Sequence, residues 1–544
     1  MIKIRLLLFF ILLLASILRM SFLQTYPPGL FTDEANQGFN AFTLLHTGKD
    51  EHGVLLPISL RSFGDWKPPL QTYLSIPFIA IYGLSSVSVR FPSVILGIIS
   101  VSLAWIIASQ LRFSQKTRLL ICLLLAISPW HLHQSRSAML VMVALTFFEI
   151  GIIYFLKSLK GKILYIIIMS LALSLAIYSY YGMRVIVPLF FFFLLILYRR
   201  KITNILHFFT IFTIFLLLFL SPLIVAFIKQ PDVILGRART ISVFYDRGID
   251  LRIWESTTQD GINNVFVARF FHNKPFLYIL DIARRFFSHL DGQFLFLTGD
   301  TAPPFRIPNM GVFYFSDGVF FLIGLWILAK KNHRLLILLS VLVGISFLPA
   351  SLTFMTPSAN RTFNAVLPIT VIIGMGVVYF FSRYRRNNSY YFILIMLLVS
   401  INVVQFSFYL GQYYKVLYSS YADEWVYGFK ELVAILHTEE VSYDRVVFLP
   451  KSNVAYIYFL FYDQNNSLKL LQTVRRDYRP DEFGYEHVKS MGKYIFMREG
   501  TLTEARREYT EKTLFVGVGE EITDGRNIAR VYYPNGKVAY AVTD

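Results

Sequence analysis

Down to about residue 410, the chain is a succession of apolar runs long enough to cross a lipid bilayer. Residues 4–23 and 205–227 are the plainest of them, each matching the ~20 residues a helix needs to traverse the hydrocarbon core. No water there can satisfy a bare backbone N–H or C=O, so such runs must fold as helices. With 55% hydrophobic and 17% aromatic residues among 544, and a mean hydropathy of +0.53, the chain is too apolar for a soluble domain. Its one cysteine, Cys122, lies within an apolar run. That excludes an intrachain disulfide and a cysteine-based zinc site. The N-terminus begins like a signal peptide, with Lys3 and Arg5 before an apolar stretch. Arg19 and Met20 occupy the place of a cleavage site, so the stretch reads as an uncleaved first span.

The net charge of +18 is not spread evenly. Lys3 and Arg5; Arg112, Lys116 and Arg118; Lys157, Lys160 and Lys162; Arg199, Arg200 and Lys201; Lys330, Lys331 and Arg334; Arg383, Arg385 and Arg386 carry 17 positive charges in short loops without Asp or Glu, leaving +1 for everything else. Short basic loops stay cytoplasmic, so all six clusters are expected inside. The basic balance is therefore a topology signal, and no nucleic-acid partner is expected. Alternation holds if residues 70–84, short and interrupted by Pro77, form an interfacial or re-entrant helix. The expected spans are then 4–23, 89–111, 119–135, 138–156, 163–181, 183–198, 205–228, 312–329, 335–352, 363–382 and 390–410. Eleven crossings put the N-terminus inside and the C-terminus outside.

The expected fold is mostly α: a polytopic helical bundle over residues 1–410, with a small extracytoplasmic α/β domain over 411–544. Outer loops cover 24–88 and 229–311. In the tail, 424–436 reads as a helix, and 445–449, 494–497 and 513–518 read as strands. Residues 529–533 and 537–542 flank Pro534-Asn535-Gly536, a hairpin signal. There is no internal repeat and no low-complexity linker.

Polar residues of unusual kinds gather at the outer ends of the spans. Phe31-Thr32-Asp33-Glu34-Ala35 opens an amphipathic helix running to about His46. Two readings fit: Thr32 or Asp33 caps the helix, or a carboxylate held at the membrane surface serves as a general base. In Asp65-Trp66-Lys67-Pro68-Pro69-Leu70, two prolines stiffen the backbone and hold Lys67 near headgroup depth. There it either meets a phosphate or snorkels beside Trp66. Arg90, in Val89-Arg90-Phe91-Pro92-Ser93, admits the same pair of readings. In Ser128-Pro129-Trp130-His131-Leu132-His133-Gln134-Ser135-Arg136, the two histidines lack the further ligands zinc requires, whereas the planar fork of Arg136 suits phosphate oxygens. Arg184, His272, Lys274 and Arg361 are further outward cations. Glu149 is a buried acid within the fourth span, assigned a local hydrogen-bonding role.

The order Asp33-Glu34, Lys67-Pro68-Pro69-Leu70, Val89-Arg90-Phe91-Pro92-Ser93 resembles GT-C glycosyltransferases of the protein mannosyltransferase and aminoarabinose transferase type, glycosyltransferase family 39. Residues 61–70 are especially similar to uncharacterised bacterial members. Ser128-Pro129-Trp130-His131 with Ser135-Arg136, Phe271-His272-Asn273-Lys274 and Trp425-Val426-Tyr427-Gly428-Phe429-Lys430 also resemble that group. The likeness is specific over about 25–140 and looser elsewhere. It implies sugar transfer from a polyprenyl-phosphate donor to a glycan, lipid or protein acceptor outside the membrane, the plasma membrane of a prokaryote being the expected compartment. Carried over, Asp33 is the catalytic carboxylate with Glu34 in support, and Lys67 contacts the lipid phosphate. Arg90, His131, Arg136 and Arg361 are expected as phosphate or acceptor contacts.

No Asp-x-Asp motif is present, so no metal or other cofactor is assigned, and a metal-dependent mechanism like that of oligosaccharyltransferases has no support. The tail does not match the sugar-binding repeats of eukaryotic protein mannosyltransferases. Two other classes share the lipid-linked substrate. An oligosaccharide ligase uses the same kind of donor. A transporter or flippase would place polar, broken helices near the membrane midplane, whereas here polarity gathers at the outer surface.

Overall fold

The computed structural model describes residues 2–245, 248–259, 266, 270–384, 388–452, 454–481, 484–519, 522 and 525–544; Arg385 and Arg386 of the last basic cluster fall outside these. Two compact units emerge. One comprises Met1–Arg19, Leu96–Ser135 and Leu140–Tyr409; the other Met20–Ile95, Arg136–Met139 and Leu410–Asp544.

Helix covers each expected span, the third of them in two pieces. Six of the described helices are long and apolar enough to cross a membrane: Ser86–Gln110, Leu140–Ser158, Ile205–Lys229, His333–Ser351, Phe363–Arg383 and Tyr391–Ser420. Ile205–Lys229 leaves Leu206, Ile214, Leu217, Leu218, Val225 and Ile228 bare, a face that lipid tolerates and water does not. Helices Phe315–Lys331 and Val366–Tyr384 meet backbone to backbone. A Cβ at Gly324 would lie 2.0 Å from the Ile372 carbonyl oxygen, and one at Gly376 1.9 Å from that of Phe320; small residues permit such approach in bundles.

The third span is the exception. In place of one helix over 119–135, Gln115–Ile127 ends and Pro129–Ser135 begins anew. Pro129 has no N–H to continue the ladder, and the next N–H, of Trp130, turns to the Val312 carbonyl at 3.1 Å. Leu70–Tyr82 is a separate helix of 13 residues ending at Gly83, too short for a full crossing.

Among the described residues the second unit holds nine strands: β1 (Leu60–Ser62), β2 (Asp65–Lys67), β3 (Arg445–Phe448), β4 (Arg475–Asp477), β5 (His487–Met491), β6 (Tyr494–Phe496), β7 (Thr513–Val518), β8 (Asn527–Tyr532) and β9 (Val538–Thr543). β1 and β2 form a hairpin. The other seven make one sheet in the order β4-β5-β6-β3-β7-β9-β8, with β3 parallel to β6 and β7 and the remaining pairs antiparallel. Alternate residues face opposite sides of a strand. Val446, Phe448, Leu514 and Val516 therefore enter one core, while Val447, Leu449 and Phe515 enter a second with Ala505. The hairpin of β8 and β9 turns where Pro534-Asn535-Gly536 indicates, with Gly536 at φ +83°.

The expected helix over 424–436 begins later. A short turn at Asp423–Trp425 is followed by left-handed backbone at Val426 and Gly428, and the helix runs from Phe429 to Glu439.

The tail does not stand alone. Helix Ala455–Tyr462, apolar on every side, is buried almost completely, as an all-round apolar helix must be. Its core is shared with Ala35, Phe39 and Phe42 of helix Thr32–Thr47. The first long loop thus packs with the C-terminal sheet in one hydrophobic core, where the sequence suggested a division at 410 with that loop on the bundle side.

Candidate active site

Helix Thr32–Thr47 stops where Gly48, at φ +70°, donates its N–H to the Leu44 carbonyl. At its start neither Thr32 nor Asp33 acts as the cap. Glu34 does the work, its Oε2 accepting the Phe31 N–H at 3.2 Å, the carboxylate half of a capping box. Thr32 Oγ1 lies 3.1 Å from the Tyr458 hydroxyl. Asp33 makes no capping bond.

Lys67 reaches it from the hairpin. Ser62 pairs with Asp65, so the loop is the two residues Phe63 and Gly64, both at positive φ (+51° and +85°), the geometry of a tight right-twisted hairpin. Lys67 ends β2 and donates from Nζ to Asp33 Oδ1. Its ammonium also sits 5.3 Å from the Phe63 ring centre. The Lys67 side chain is 11% exposed and that of Asp33 46%. A lysine held by buried surroundings therefore meets a carboxylate open to solvent.

Glu34, one residue on, lies in a different world. Arg90 Nε donates to Oε1 at 3.0 Å and Nη2 to Oε2 at 2.8 Å; the Ala138 N–H adds a third bond to Oε1 at 2.8 Å. The remaining Arg90 donors go to the carbonyls of Leu23, Pro27 and Gly29. Both side chains are shut off from solvent. Arg136 is held likewise, by the Tyr413 hydroxyl at 3.1 Å and the carbonyls of Ser21 and Tyr26. The Asp33–Lys67 and Glu34–Arg90 pairs and Arg136 share the second unit.

His131 and Arg361 belong to the first unit. His131 is fully buried in a chain of side chains: Arg19 Nη2 lies 2.8 Å from its Nδ1, its Nε2 lies 3.1 Å from Ser100 Oγ, and Ser100 Oγ lies 3.0 Å from Glu149 Oε1. Arginine only donates, so Nδ1 accepts, Nε2–H donates to Ser100, and the Ser100 hydroxyl donates to Glu149. The direction of the chain follows from chemistry alone. Gly97 makes room for it: a Cβ there would lie 3.2 Å from Arg19 Nε and 2.6 Å from Ser135 Cβ. Arg361 donates to Thr353 Oγ1 at 2.5 Å and to the Met355 carbonyl at 3.1 Å. His133 Nε2 lies 2.9 Å from the Pro304 carbonyl, so the two histidines of the motif serve different neighbours. Among the described residues no group of three His, Cys, Asp or Glu is placed to hold a metal ion.

Other polar centres were not singled out from sequence. Glu51, fully buried, accepts from Asn36 at 2.6 Å and from Arg476 at 3.1 Å. Burial works to raise its carboxyl, but Arg476, His52 and Asn36 outweigh this and leave it below the ordinary range. In the first unit, His289 Nε2 accepts the Ser358 N–H at 3.1 Å and Asp300 the next one, of Ala359, at 2.5 Å. No local pattern marks such residues; the Glu51–Arg476 partners are 425 positions apart.

A family model described as dolichyl-phosphate-mannose-protein mannosyltransferase matches residues 66–225, a stretch that holds Lys67, Arg90, His131 and Arg136. The fold is that of two solved structures of ArnT from Cupriavidus metallidurans. The one bound to undecaprenyl phosphate superposes with a TM-score of 0.55 at 11% identity, covering 98% of this chain and 97% of that one. The apo form gives 0.52 at 10% identity, covering 99% and 97%. No curated protein sequence matches. The partial family match and the shared fold support the resemblance to GT-C glycosyltransferases and mark the chain as a multi-pass membrane protein.

Proposed function

We propose that the chain transfers a sugar from a polyprenyl-phosphate donor to an acceptor hydroxyl on the extracytoplasmic face, with Asp33 as general base and Lys67 as the phosphate contact. The observation that carries this is the Asp33–Lys67 pair itself: a solvent-open carboxylate hydrogen-bonded to a lysine held in place by its surroundings. Glu34, Arg90 and Arg136 are spoken for by one another or by backbone carbonyls, and act as scaffold. The fold shared with ArnT, solved with undecaprenyl phosphate, supports the choice of donor, as does the description of the matching family. The six basic clusters support the orientation.

The donor phosphate competes with Asp33 for the Lys67 ammonium. Once Lys67 turns to the phosphate, the Asp33 carboxylate is free to take the acceptor proton. The acceptor oxygen bonds to the anomeric carbon, and the carbon–phosphate oxygen bond breaks with its electron pair going to the phosphate. The anomeric centre inverts. Lys67 stabilises the charge growing on the leaving group, and a placed general base contributes roughly 100- to 10,000-fold.

The test uses purified protein in lipid, a panel of radiolabelled polyprenyl-phosphate sugars and candidate acceptors. Release of label from one donor by the native chain, lost in Asp33→Asn and Lys67→Ala, is the expected result. Normal turnover by folded Asp33→Asn removes the base assignment. No release from any monosaccharide donor favours a ligase acting on long lipid-linked glycans, tested next with those lipids.

A further inference from the structure

The C-terminal tail touches both elements that carry the reactive pair. On the helix side, the Tyr458 hydroxyl bonds the Leu30 carbonyl at 2.9 Å and Thr32 Oγ1 at 3.1 Å, bracketing the turn from which Asp33 projects. Its ring is stacked on Phe429, centres 4.4 Å apart and 11° from parallel, and the whole side chain is buried. Aromatic packing on this scale fixes the hydroxyl with little rotational freedom. On the hairpin side, Glu486 Oε1 receives Arg61 Nη2 at 2.5 Å, and the Glu486 N–H donates to the Phe63 carbonyl at 3.1 Å. The Arg61 guanidinium lies 5.0 Å from the Tyr478 ring centre, and the Phe63 ring lies edge-on to Tyr456 at 5.8 Å. A Cβ on Gly64 would sit 2.9 Å from Glu486 Cγ, so the turn closes directly against that side chain.

A two-stranded hairpin of three residues per strand is marginal by itself. Strand β2 is three residues long, so the position of Lys67 depends on what grips the turn. The grip comes from Tyr456, Tyr478 and Glu486, the last of them 425 positions downstream of Arg61. A catalytic pair separated by 34 residues of sequence is thus registered by a third segment that contributes no reacting atom.

We propose that the tail is a positioning element for the Asp33–Lys67 pair, with Tyr458 setting the helix turn that bears Asp33 and Glu486 setting the hairpin that bears Lys67. This rests on the reading of Asp33 and Lys67 as catalytic. Neither Tyr458 nor Glu486 is a catalytic residue; each acts through another.

Full-length Glu486→Gln and Tyr458→Phe test it, both nearly isosteric and chosen so that the chain still folds. Two readouts are taken: amide hydrogen exchange over residues 30–34 and 60–67, and kcat and KM for the donor. Glu486→Gln is expected to speed exchange in 60–67 and Tyr458→Phe in 30–34. Each is expected to lower kcat by roughly 10- to 100-fold, the scale of a small misplacement of reacting groups, with donor KM within about twofold of native. Unchanged kcat in both variants overturns the proposal, whether or not exchange quickens, as does a fall in kcat with exchange unchanged in these segments. An active Asp33→Asn would instead overturn the catalytic reading, while the exchange data still report whether the tail holds the two elements.

Discussion

Arg90 grips Glu34 with two parallel hydrogen bonds, 3.0 Å from Nε to Oε1 and 2.8 Å from Nη2 to Oε2, and neither side chain reaches solvent. One residue earlier, Asp33 holds its carboxylate half in solvent. Adjacent acids on a helix differ by about 100° in direction, enough to close one into a buried ion pair and leave the other open to solvent.

That difference predicts opposite consequences for two similar substitutions. Removing one partner of a buried ion pair leaves the other charged and desolvated, costing about 3–5 kcal/mol. Glu34→Gln and Arg90→Met should therefore lower the thermal midpoint and yield of protein purified in detergent. Asp33→Asn should leave both within error and abolish turnover. Equal stability losses at the two positions would show that Asp33 is structural too.

Lys67 invites a finer dissection. On the proposed mechanism Lys67→Ala removes the charge that stabilises the leaving group and should reduce kcat/KM by roughly 100- to 1,000-fold, as loss of one preorganised electrostatic contact does. Lys67→Arg keeps the charge but replaces a compact ammonium with a planar fork, and should recover part of the loss. Donor release at fixed acceptor concentration measures both. An Ala variant as fast as native would take Lys67 out of the reaction.

How much of this was readable in advance depends on how local the cause is. Helix lies over the expected spans, six of them long and apolar enough to cross a membrane, because apolar character along a run is a property of neighbouring residues. The break falls at Pro129, which sits within an otherwise apolar run and so reads in sequence as part of one span. Arg90 and Arg136 look like anion contacts in sequence, since nothing there shows the backbone carbonyls of Leu23, Pro27, Gly29, Ser21 and Tyr26 that occupy their donors. The hairpin at Pro534-Asn535-Gly536 is a local signal and forms as written. The joining of the first long loop to the tail through Phe39, Phe42 and Tyr458 is a contact across hundreds of residues, beyond the reach of any periodicity.

The chain from Arg19 through His131 and Ser100 to Glu149 makes a third prediction. Ser100 joins two fully buried side chains, at 3.1 Å from His131 and 3.0 Å from Glu149. Ser100→Ala deletes the joint and leaves a donor and an acceptor unpaired, at a cost of about 1–3 kcal/mol for each buried group. In the double variant Ser100→Ala with Glu149→Leu the acceptor is gone as well, so the loss should be smaller than the sum of the two single losses. Thermal midpoints of the three variants in the same detergent test this. Strict additivity would mean that Ser100 and Glu149 do not communicate.

The second long loop predicts opposing pH effects. Burial lowers His289 to about 4 and raises Asp300 to about 6, the latter despite the Ala302 and Ala359 N–H groups and Arg361. For His289 the unfolded chain binds more protons between about 6.5 and 4, so stability falls as pH drops through that window. Mechanically, a protonated Nε2 can no longer accept the Ser358 N–H. For Asp300 the folded chain binds more protons between about 6 and 3.8, so the same acidification adds stability. Each contribution is of order 3 kcal/mol at full extent, and between pH 6 and 4 the two nearly cancel. His289→Gln removes one side of the balance. The thermal midpoint of His289→Gln, relative to native, should therefore climb as pH is lowered from 6 to 4. A difference between variant and native that stays constant across that range would mean that His289 carries no proton-linked stability.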